Sequence, residues 1–250
     1  MNLDEIGLLA TDWDESITSK DTLRMVGQAA YDSKPHFIPK WDHFESEYMR
    51  DYTEYCKDKY RETLAQEEAF LRGITDVEYN SVKRVESSGL FKDVPLSALH
   101  KQAEQVPIRK GWWDLCARLR SRGIPIVIIS VNWSAEFIRR VFEMKGYNDV
   151  QIYANEVSMG ENNRGTGKLT QGLQVRTAQD KANVIQSLRK TYNIGSKKLC
   201  YVGDSNTDLL ALKEADIGVI IHKAKLLESC ERLGLKQLKF AYQWDEIFAE

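Results

Sequence analysis

Short, continuous apolar runs alternate with amphipathic segments over most of this 250-residue chain. The first run begins at Ile6, and the others lie at residues 125–130, 150–154, 198–203 and 217–221. Strands that are buried on both faces of a parallel sheet have this unbroken apolar character. The segments between the later runs repeat apolar residues at three- and four-residue steps, as amphipathic helices do. The alternation predicts an α/β fold built on a parallel sheet.

The stretch of residues 40–89 has a different pattern, with helical periodicity and few strand-like runs. Aromatic residues recur on one side of its first helical segment at three- and four-residue steps: Trp41, Phe44, Tyr48, Tyr52 and Tyr55. Two more helical segments follow, and each ends at a glycine. An aromatic stripe is more often a packing face than a cofactor-binding surface. The pattern therefore predicts a separate helical layer.

Composition is that of an ordinary globular protein, with 42% hydrophobic and 29% charged residues. A net charge of −2 provides no overall field that would attract nucleic acid or an anionic membrane, so we expect neither partner. The four cysteines are widely spread without a CxxC pair, which favours reduced thiols over a disulfide framework or a zinc site. No apolar run approaches a membrane span in length. A cytoplasmic location is expected.

Polar residues mark the carboxyl ends of the predicted strands. They are Asp12 and Asp14 after the first strand, Ser130 at the end of the second, Asp204 and Asp208 after the fourth, and Lys181 on the helix before the fourth. Open parallel sheets bind their ligands at this edge. The sequence therefore predicts one polar site there.

These residue types suit a metal ion and a phosphate. Neighbouring carboxylates repel each other unless a cation lies between them, and oxygen ligands without His or Cys favour Mg²⁺ over zinc. Ser130, followed by free N–H groups in the first turn of a helix, suits a phosphate, and Lys181 adds a positive charge. Taken singly, Ser130 also fits a turn, Lys181 a solvated helix lysine and Asp208 a helix start. Lys168 is an alternative lysine.

The order of these residues resembles the haloacid dehalogenase superfamily of phosphatases. The four motifs of that family match Asp12-Trp13-Asp14-Glu15-Ser16, then Ser130, then Lys181, then Gly203-Asp204-Ser205-Asn206-Thr207-Asp208. Ser16 stands where the family usually has Thr and retains the hydroxyl, and Trp13 replaces the more common Phe or Leu. The resemblance covers residues 1–20 and about 105–235. The helical insertion matches the position of the C1 cap in the phosphoserine phosphatase-like branch.

The resemblance implies a Rossmann-like parallel sheet core flanked by helices, with an α-helical C1 cap inserted after the first strand. The core would comprise residues 1–20 and 105–250, and the cap residues 21–104.

The resemblance also implies Mg²⁺-dependent hydrolysis of a phosphomonoester through an aspartyl phosphate. Asp12 would be the nucleophile, and Asp14 the general acid and base. Mg²⁺ would be bound by Asp12, the backbone carbonyl of Asp14 and Asp204, with Asp208 holding the metal waters or Lys181. The phosphoryl oxygens would be bound by Ser16, Ser130 and Lys181.

The substrate is expected to be a small phosphorylated metabolite. Asp21 stands where phosphoserine phosphatase-like members keep an acidic residue that faces the substrate, which would favour a cationic leaving group; its alternative role is to cap the next helix. Residues 130–134 and 154–156 look similar to thiamine monophosphate phosphatase-like members, whose aromatic-rich caps suit a flat heteroaromatic cation. Thiamine monophosphate is therefore the leading candidate, and pyrimidine nucleotides, phosphoserine and phosphocholine-type esters remain open. The candidate substrate contacts are Asp21, Asn132 and Trp133, with Trp41, Tyr48, Tyr52 and Tyr55 beside them.

Two other classes of function fit the motifs less well. A dehalogenase would need the nucleophile but not the metal-binding acids Asp14, Asp204 and Asp208. A non-catalytic binding protein on this fold would usually have lost a motif residue, and none is missing here. No motif indicates an oligomeric state.

Overall fold

A computed structural model describes residues 1–169 and 174–248 of the chain. Its strands, in chain order, are β1 (Ile6–Thr11), β2 (Lys92–Pro95), β3 (Ile126–Ile129), β4 (Gln151–Tyr153), β5 (Val157–Met159), β6 (Arg164–Leu169), β7 (Lys198–Gly203), β8 (Ile217–Ile221) and β9 (Lys239–Ala241). Six of them form one parallel sheet in the order β4-β3-β1-β7-β8-β9. The predicted parallel α/β fold is confirmed, and β9 is a further strand that the apolar pattern did not indicate.

Helices separate and follow these strands. They are α1 (Leu23–Ser33), α2 (Trp41–Cys56), α3 (Leu64–Gly73), α4 (Thr75–Ser88), α5 (Leu96–Ala103), α6 (Trp112–Ser121), α7 (Ala135–Glu143), α8 (Ala178–Thr191), α9 (Leu209–Glu214), α10 (Ala224–Arg232) and α11 (Trp244–Ile247). Among the described residues, no helix is both long and apolar enough to cross a membrane.

The central strands are buried on both faces, which explains their unbroken apolar sequence. In β1, Leu8 and Ala10 join one hydrophobic cluster, whereas Leu9 between them joins the cluster on the other face. Successive side chains of a strand point to opposite faces, so a strand covered on both sides needs apolar residues throughout. Helices therefore cover both faces of the sheet.

A second, three-stranded antiparallel sheet has the order β2-β6-β5. Strand β2 lies just after the predicted helical layer of residues 40–89 and was not indicated by the apolar pattern, because it is short and carries two charged residues. The Gly- and Asn-rich composition of residues 158–172 is typical of a surface loop or hairpin, and the described part of this segment contains the turn and strand β6 of a β5–β6 hairpin. Residues 170–172 lie outside the described part of the chain. At Gly165 a Cβ atom would lie 2.1 Å from the carbonyl oxygen of Phe91, so this close approach of two backbones requires glycine.

The aromatic stripe of α2 is mainly a packing face, as predicted. Trp41 and Phe44 are buried, and Tyr48 is half-buried. The ring of Trp41 packs on α1 at Gly27, where a Cβ atom would lie 2.2 Å from a ring carbon. The same ring lies 5.9 Å from the ring of Trp133, centroid to centroid. The helical region and the segment after β3 therefore share one hydrophobic contact.

Candidate active site

The carboxyl ends of β1 and β7 bring the first and last sequence motifs together. Thr11 is paired with Val202 in the parallel register, and the backbone N–H of Asp12 donates to the Val202 carbonyl at 2.9 Å. Asp12 and Asp204 therefore leave the sheet side by side. Strand β3 lies on the other side of β1, so Ser130 reaches the same edge.

Three aspartates form a buried acidic cluster at this edge. Asp12, Asp204 and Asp208 each offer a carboxylate oxygen, and these atoms lie within 4.8 Å of one another. The Lys181 ammonium reaches in from α8, where it lies 2.9 Å from Asp12 Oδ1 and 2.7 Å from Asp208 Oδ1. Lys181 has no exposed surface, which excludes the alternative of a solvated helix lysine. Lys168, the alternative lysine, pairs with Glu86 instead.

Among the residues that the structure describes, Lys181 is the one cation that forms ion pairs with this cluster. Burial raises the pKa of Asp204 to about 7, and the neighbouring Asp208 adds to the shift. Burial and Asp208 also raise the pKa of Asp12 well above its ordinary value. Burial alone would lower the pKa of Lys181, but its two carboxylate partners reverse this, and the net shift is upward. One lysine facing three carboxylates leaves room for a further cation.

Asp208 is the member of the cluster whose oxygens are already occupied. Its Oδ1 accepts hydrogen bonds from Lys181 Nζ and from the Tyr201 hydroxyl, at 2.7 and 2.6 Å. Its Oδ2 accepts from the backbone N–H groups of Asp204 and Ser205 and from the Ser205 hydroxyl. Burial would raise the pKa of Asp208, but Lys181 and these donors hold it below the ordinary value. Asp208 therefore fits a role in holding Lys181, and Asp12 and Asp204 are better placed as metal ligands.

The carboxylate of Asp14 is not a member of this cluster and is bound by Thr22 and Asn132. Its Oδ1 accepts from the backbone N–H and the hydroxyl of Thr22, both at 2.6 Å, and its Oδ2 accepts from Asn132 Nδ2 at 3.0 Å. Burial raises the pKa of Asp14 to about 6, with Asp21 adding to the shift and these hydrogen bonds opposing it. A carboxyl group with this pKa can both donate and accept a proton near neutral pH.

The loop after β1 is held by residues that the motifs did not indicate. Buried Arg109 donates to the carbonyl oxygens of Glu15, Ser16 and Thr18, at 2.7, 3.2 and 3.4 Å. The indole N–H of Trp244 also donates to the Ser16 carbonyl, at 3.0 Å. These contacts fix the loop that carries Asp14 and Ser16. No short motif contains Arg109 or Trp244, so only the fold reveals them.

The two predicted phosphate-binding serines are buried near the cluster. The Ser16 hydroxyl donates to Asp204 Oδ1 at 2.9 Å, and the Ser130 hydroxyl accepts from the Asn132 N–H at 3.1 Å. The expectation of free N–H groups in the first turn of α7 is wrong. The N–H of Glu136 donates to Glu156, and that of Phe137 donates to the Ser134 hydroxyl, because the chain caps this helix itself.

The three candidate substrate contacts have different surroundings. Asp21 is exposed, and its Oδ1 accepts from the Leu23 N–H at 2.7 Å at the start of α1, which fits the capping role. Asn132 is buried and directed at Asp14 and Thr22. Trp133 is 7% exposed and packs against Trp41 and Phe91. Of the three side chains, only that of Asp21 is exposed.

The parallel sheet and the buried aspartate–lysine cluster at its carboxyl edge define a Rossmann-like α/β protein with an aspartate-based site. The sequence model of the haloacid dehalogenase-like hydrolases matches residues 9–213. The chain therefore belongs to the haloacid dehalogenase-like hydrolase family. The identification from motif order is confirmed, as is the prediction that the chain is an enzyme of this family.

Two relatives are similar to this chain, one over most of its length and one over part of it. Cold tolerance protein 1 of Saccharomyces cerevisiae is 24% identical over 242 residues, which cover 82% of this chain and 75% of that protein. Bifunctional TH2 protein, mitochondrial, of Arabidopsis thaliana is 26% identical over 162 residues, which cover 63% of this chain and only 26% of that protein. Among solved structures, a phospho-aspartyl intermediate analogue of phosphoserine phosphatase has a TM-score of 0.58 at 18% identity and covers 90% of each chain. This structural likeness confirms the fold class.

Proposed function

We propose that this chain is a Mg²⁺-dependent phosphatase that hydrolyses a small phosphomonoester through an aspartyl phosphate on Asp12. The observation that carries the proposal is the buried Asp12 carboxylate, paired with Lys181 at the sheet edge beside two further aspartates. A carboxylate that is fixed by a lysine and shielded from water is suited to nucleophilic attack on phosphorus.

The cluster fits Mg²⁺ as its resident metal. Its donor set consists of carboxylate oxygens, which hard cations prefer, and its negative charge exceeds the one buried lysine. Asp12, the backbone carbonyl of Asp14 and Asp204 would hold the ion, and Asp208 would orient Lys181. When bound, the ion would neutralise the repulsion between the Asp12 carboxylate and the phosphate.

The protein residues divide the reaction into two steps. In the first step, an Asp12 oxygen forms a bond to phosphorus while the bond to the leaving oxygen breaks, and Asp14 gives that oxygen its proton. In the second step, Asp14 takes a proton from water, whose oxygen attacks phosphorus and releases inorganic phosphate and the free Asp12 carboxylate. Ser16, Ser130 and Lys181 would bind the phosphoryl oxygens throughout.

Residues 21–104 would form the cap that selects the leaving group. We place thiamine monophosphate first, on the similarity of residues 130–134 and 154–156 to thiamine monophosphate phosphatase-like members. These two segments touch, because the Asn155 side chain donates to the carbonyls of Val131 and Asn132. The exposed Asp21 carboxylate would attract a cation. Pyrimidine nucleotides, phosphoserine and phosphocholine-type esters are the alternatives, and nucleic acid and membranes are not expected partners.

Phosphate release from a panel of these esters tests the proposal. We expect release with Mg²⁺, loss of release with a chelator, and loss in Asp12→Asn. Asp114→Asn, which changes an exposed aspartate of α6, is the matched control and should keep the wild-type rate. Phosphate release that persists in Asp12→Asn would refute the nucleophile, and no release from any ester would refute the proposed activity.

Asp21→Ala tests the choice of leaving group. If Asp21 attracts a cation, the variant should raise KM for thiamine monophosphate and leave KM unchanged for p-nitrophenyl phosphate, whose organic group carries no charge. An equal rise for both esters would show that Asp21 serves α1 as a cap and does not select the substrate.

A further inference from the structure

We propose that Thr22 and Asn132 position Asp14 for proton transfer, and that Asp14 Oδ2 is the oxygen that carries the proton. The proposal rests on the proposed phosphatase function and adds two positioning residues and one atom to it. It is carried by a hydrogen-bond network whose donors and acceptors can be assigned completely at Thr22.

The Thr22 hydroxyl has one possible arrangement. Its oxygen lies 2.9 Å from the indole N–H of Trp13 and 3.2 Å from Asn132 Nδ2, and both of these groups are donors. A hydroxyl has two lone pairs and one hydrogen, so both lone pairs are used. The hydrogen must then point to its remaining neighbour, Asp14 Oδ1, at 2.6 Å.

The Asn132 amide is also oriented without ambiguity. Its Oδ1 accepts from the Ser134 N–H at 3.2 Å, which leaves the Nδ2 group facing Asp14 and Thr22. The side chain is 1% exposed, and the Asn132 carbonyl accepts two hydrogen bonds from Asn155. Asn132 is therefore buried, with hydrogen bonds at its backbone carbonyl and at both polar atoms of its side chain.

The two oxygens of Asp14 consequently differ. Oδ1 accepts two short hydrogen bonds, from the Thr22 N–H and hydroxyl, and these occupy both of its lone pairs. Oδ2 accepts one hydrogen bond, from Asn132. Only Oδ2 has a lone pair left for a proton, and Asn132 sets its direction.

The hydrogen bonds of Thr22 and Asn132 to Asp14 also join two parts of the fold. Thr22 is the residue before α1, at the beginning of the proposed cap, and Asn132 follows β3 in the main sheet. Asp14 is aligned only when the start of α1 is seated against the segment after β3. A buried network of this kind stabilises a fold as well, so stability alone does not test the proposal.

The dependence of rate on the leaving group separates positioning from stability. We would measure kcat/KM, which reports the first phosphoryl transfer, for p-nitrophenyl, p-chlorophenyl, phenyl and p-methoxyphenyl phosphates. These esters have similar shapes but increasingly basic leaving oxygens, so the later members depend more on a positioned acid. General acid catalysis contributes roughly 10²- to 10⁴-fold, and loss of alignment should remove part of that.

Thr22→Val keeps the shape and the backbone N–H but removes the hydroxyl. We expect a loss of less than about 3-fold for the p-nitrophenyl ester, rising to about 10- to 100-fold for the p-methoxyphenyl ester. Thr22→Ser restores the hydroxyl and should restore the wild-type dependence of kcat/KM on the basicity of the leaving group. Should Thr22→Val fail to fold, Asn132→Ala provides the same test, because it removes the hydrogen bond to Asp14 Oδ2.

An equal loss for all four esters would overturn the positioning role and leave the proposed phosphatase activity standing. Wild-type protein that hydrolyses none of them, nor any ester of the panel above, would overturn the phosphatase proposal itself. Asp12→Asn run in parallel shows that the measured rates belong to this site.

Discussion

Lys181 shows how little positive charge the protein supplies to its acidic cluster. A buried ammonium is costly unless it is paired, and Lys181 is paired twice, with Asp12 and Asp208. The same ammonium has to serve a third carboxylate, Asp204, whose pKa is raised to about 7 by burial and by Asp208. The shortage of positive charge lies in the residues themselves, which is the reason that a hard cation fits here.

Gly203 permits the arrangement of Asp208. A Cβ atom at this position would lie 2.5 Å from both Cβ and Cγ of Asp208, closer than real atoms approach. Gly203→Ala should therefore displace Asp208 and, with it, Lys181. We expect kcat to fall by at least about 10-fold and overpacking to cost about 1–3 kcal/mol in the free energy of unfolding.

Steady-state kinetics and urea unfolding measure these two effects. Gly160→Ala is the matched control, because a Cβ atom there would be 3.4 Å from its nearest neighbour, an ordinary contact. Wild-type kcat in Gly203→Ala would contradict the view that Asp208 must stand where it does.

At the residue scale, the sequence predicts the members of the site better than their partners. Asp12, Asp204 and Lys181 could be predicted because each stands at a strand end or on the adjoining helix, and parallel strands converge at that edge. The partners of Asp14 could not be predicted in this way. Thr22 and Asn132 are separated by 110 residues, and their contact depends on how α1 is seated.

At the scale of elements, the loop after β1 depends on Arg109 and on the end of the chain. The Arg109 guanidinium reaches three carbonyl oxygens from two separate nitrogens, Nε and Nη2, a planar geometry that the single nitrogen of a lysine does not reproduce. Trp244 and Lys223 add contacts, the first to the Ser16 carbonyl and the second to the Glu15 carboxylate at 2.7 Å. Elements more than 90 residues away therefore hold the loop in place.

Arg109→Lys should keep the positive charge but lose part of the set of hydrogen bonds to the three loop carbonyls. We expect kcat to fall by about 10-fold or more, because a displacement of about 1 Å at the reacting groups can cost about 100-fold. Phosphate release at saturating ester measures the effect. Arg118→Lys is the control, since Arg118 donates to the Phe248 carbonyl and makes no described contact with the loop. A wild-type kcat in Arg109→Lys would show that the remaining contacts suffice.

Elements with long apolar runs or long helical periods were predictable, and short polar ones were not. The central strand β7 has one exposed residue and five buried ones, so its character is visible in the local sequence. Strand β2 has two exposed charged residues in four positions, and it is a strand because β6 pairs with it. Pairing with a distant partner leaves no periodic signal in so short a segment.

At the scale of the whole molecule, the acidic cluster couples folding to protons and metal. Without bound metal, the pKa of Asp204 is about 7 in the folded state against an ordinary value of 3.8. The folded state therefore binds more protons than the unfolded state between these values. The contribution of Asp204 to stability is fully present below pH 4 and is lost as pH rises through about 7.

We expect the free energy of unfolding in the presence of a chelator to fall as pH rises from 5 to 8, and excess Mg²⁺ to oppose the fall. Urea unfolding across this range measures it. Asp204→Asn should reduce the slope by up to about 1.4 kcal/mol per pH unit, the value of one proton, and should abolish the response to Mg²⁺.

Glu78 separates the two parts of this prediction. It is a second carboxyl group whose pKa burial raises to about 7, but it lies on α4 and accepts from the Tyr48 hydroxyl at 2.8 Å, outside the acidic cluster. Glu78→Gln should therefore reduce the pH slope as Asp204→Asn does, while the gain in stability from Mg²⁺ stays at the wild-type value. If both variants kept the Mg²⁺ response, the ion would bind elsewhere; if both lost it, the loss would follow from general destabilisation and not from a missing ligand.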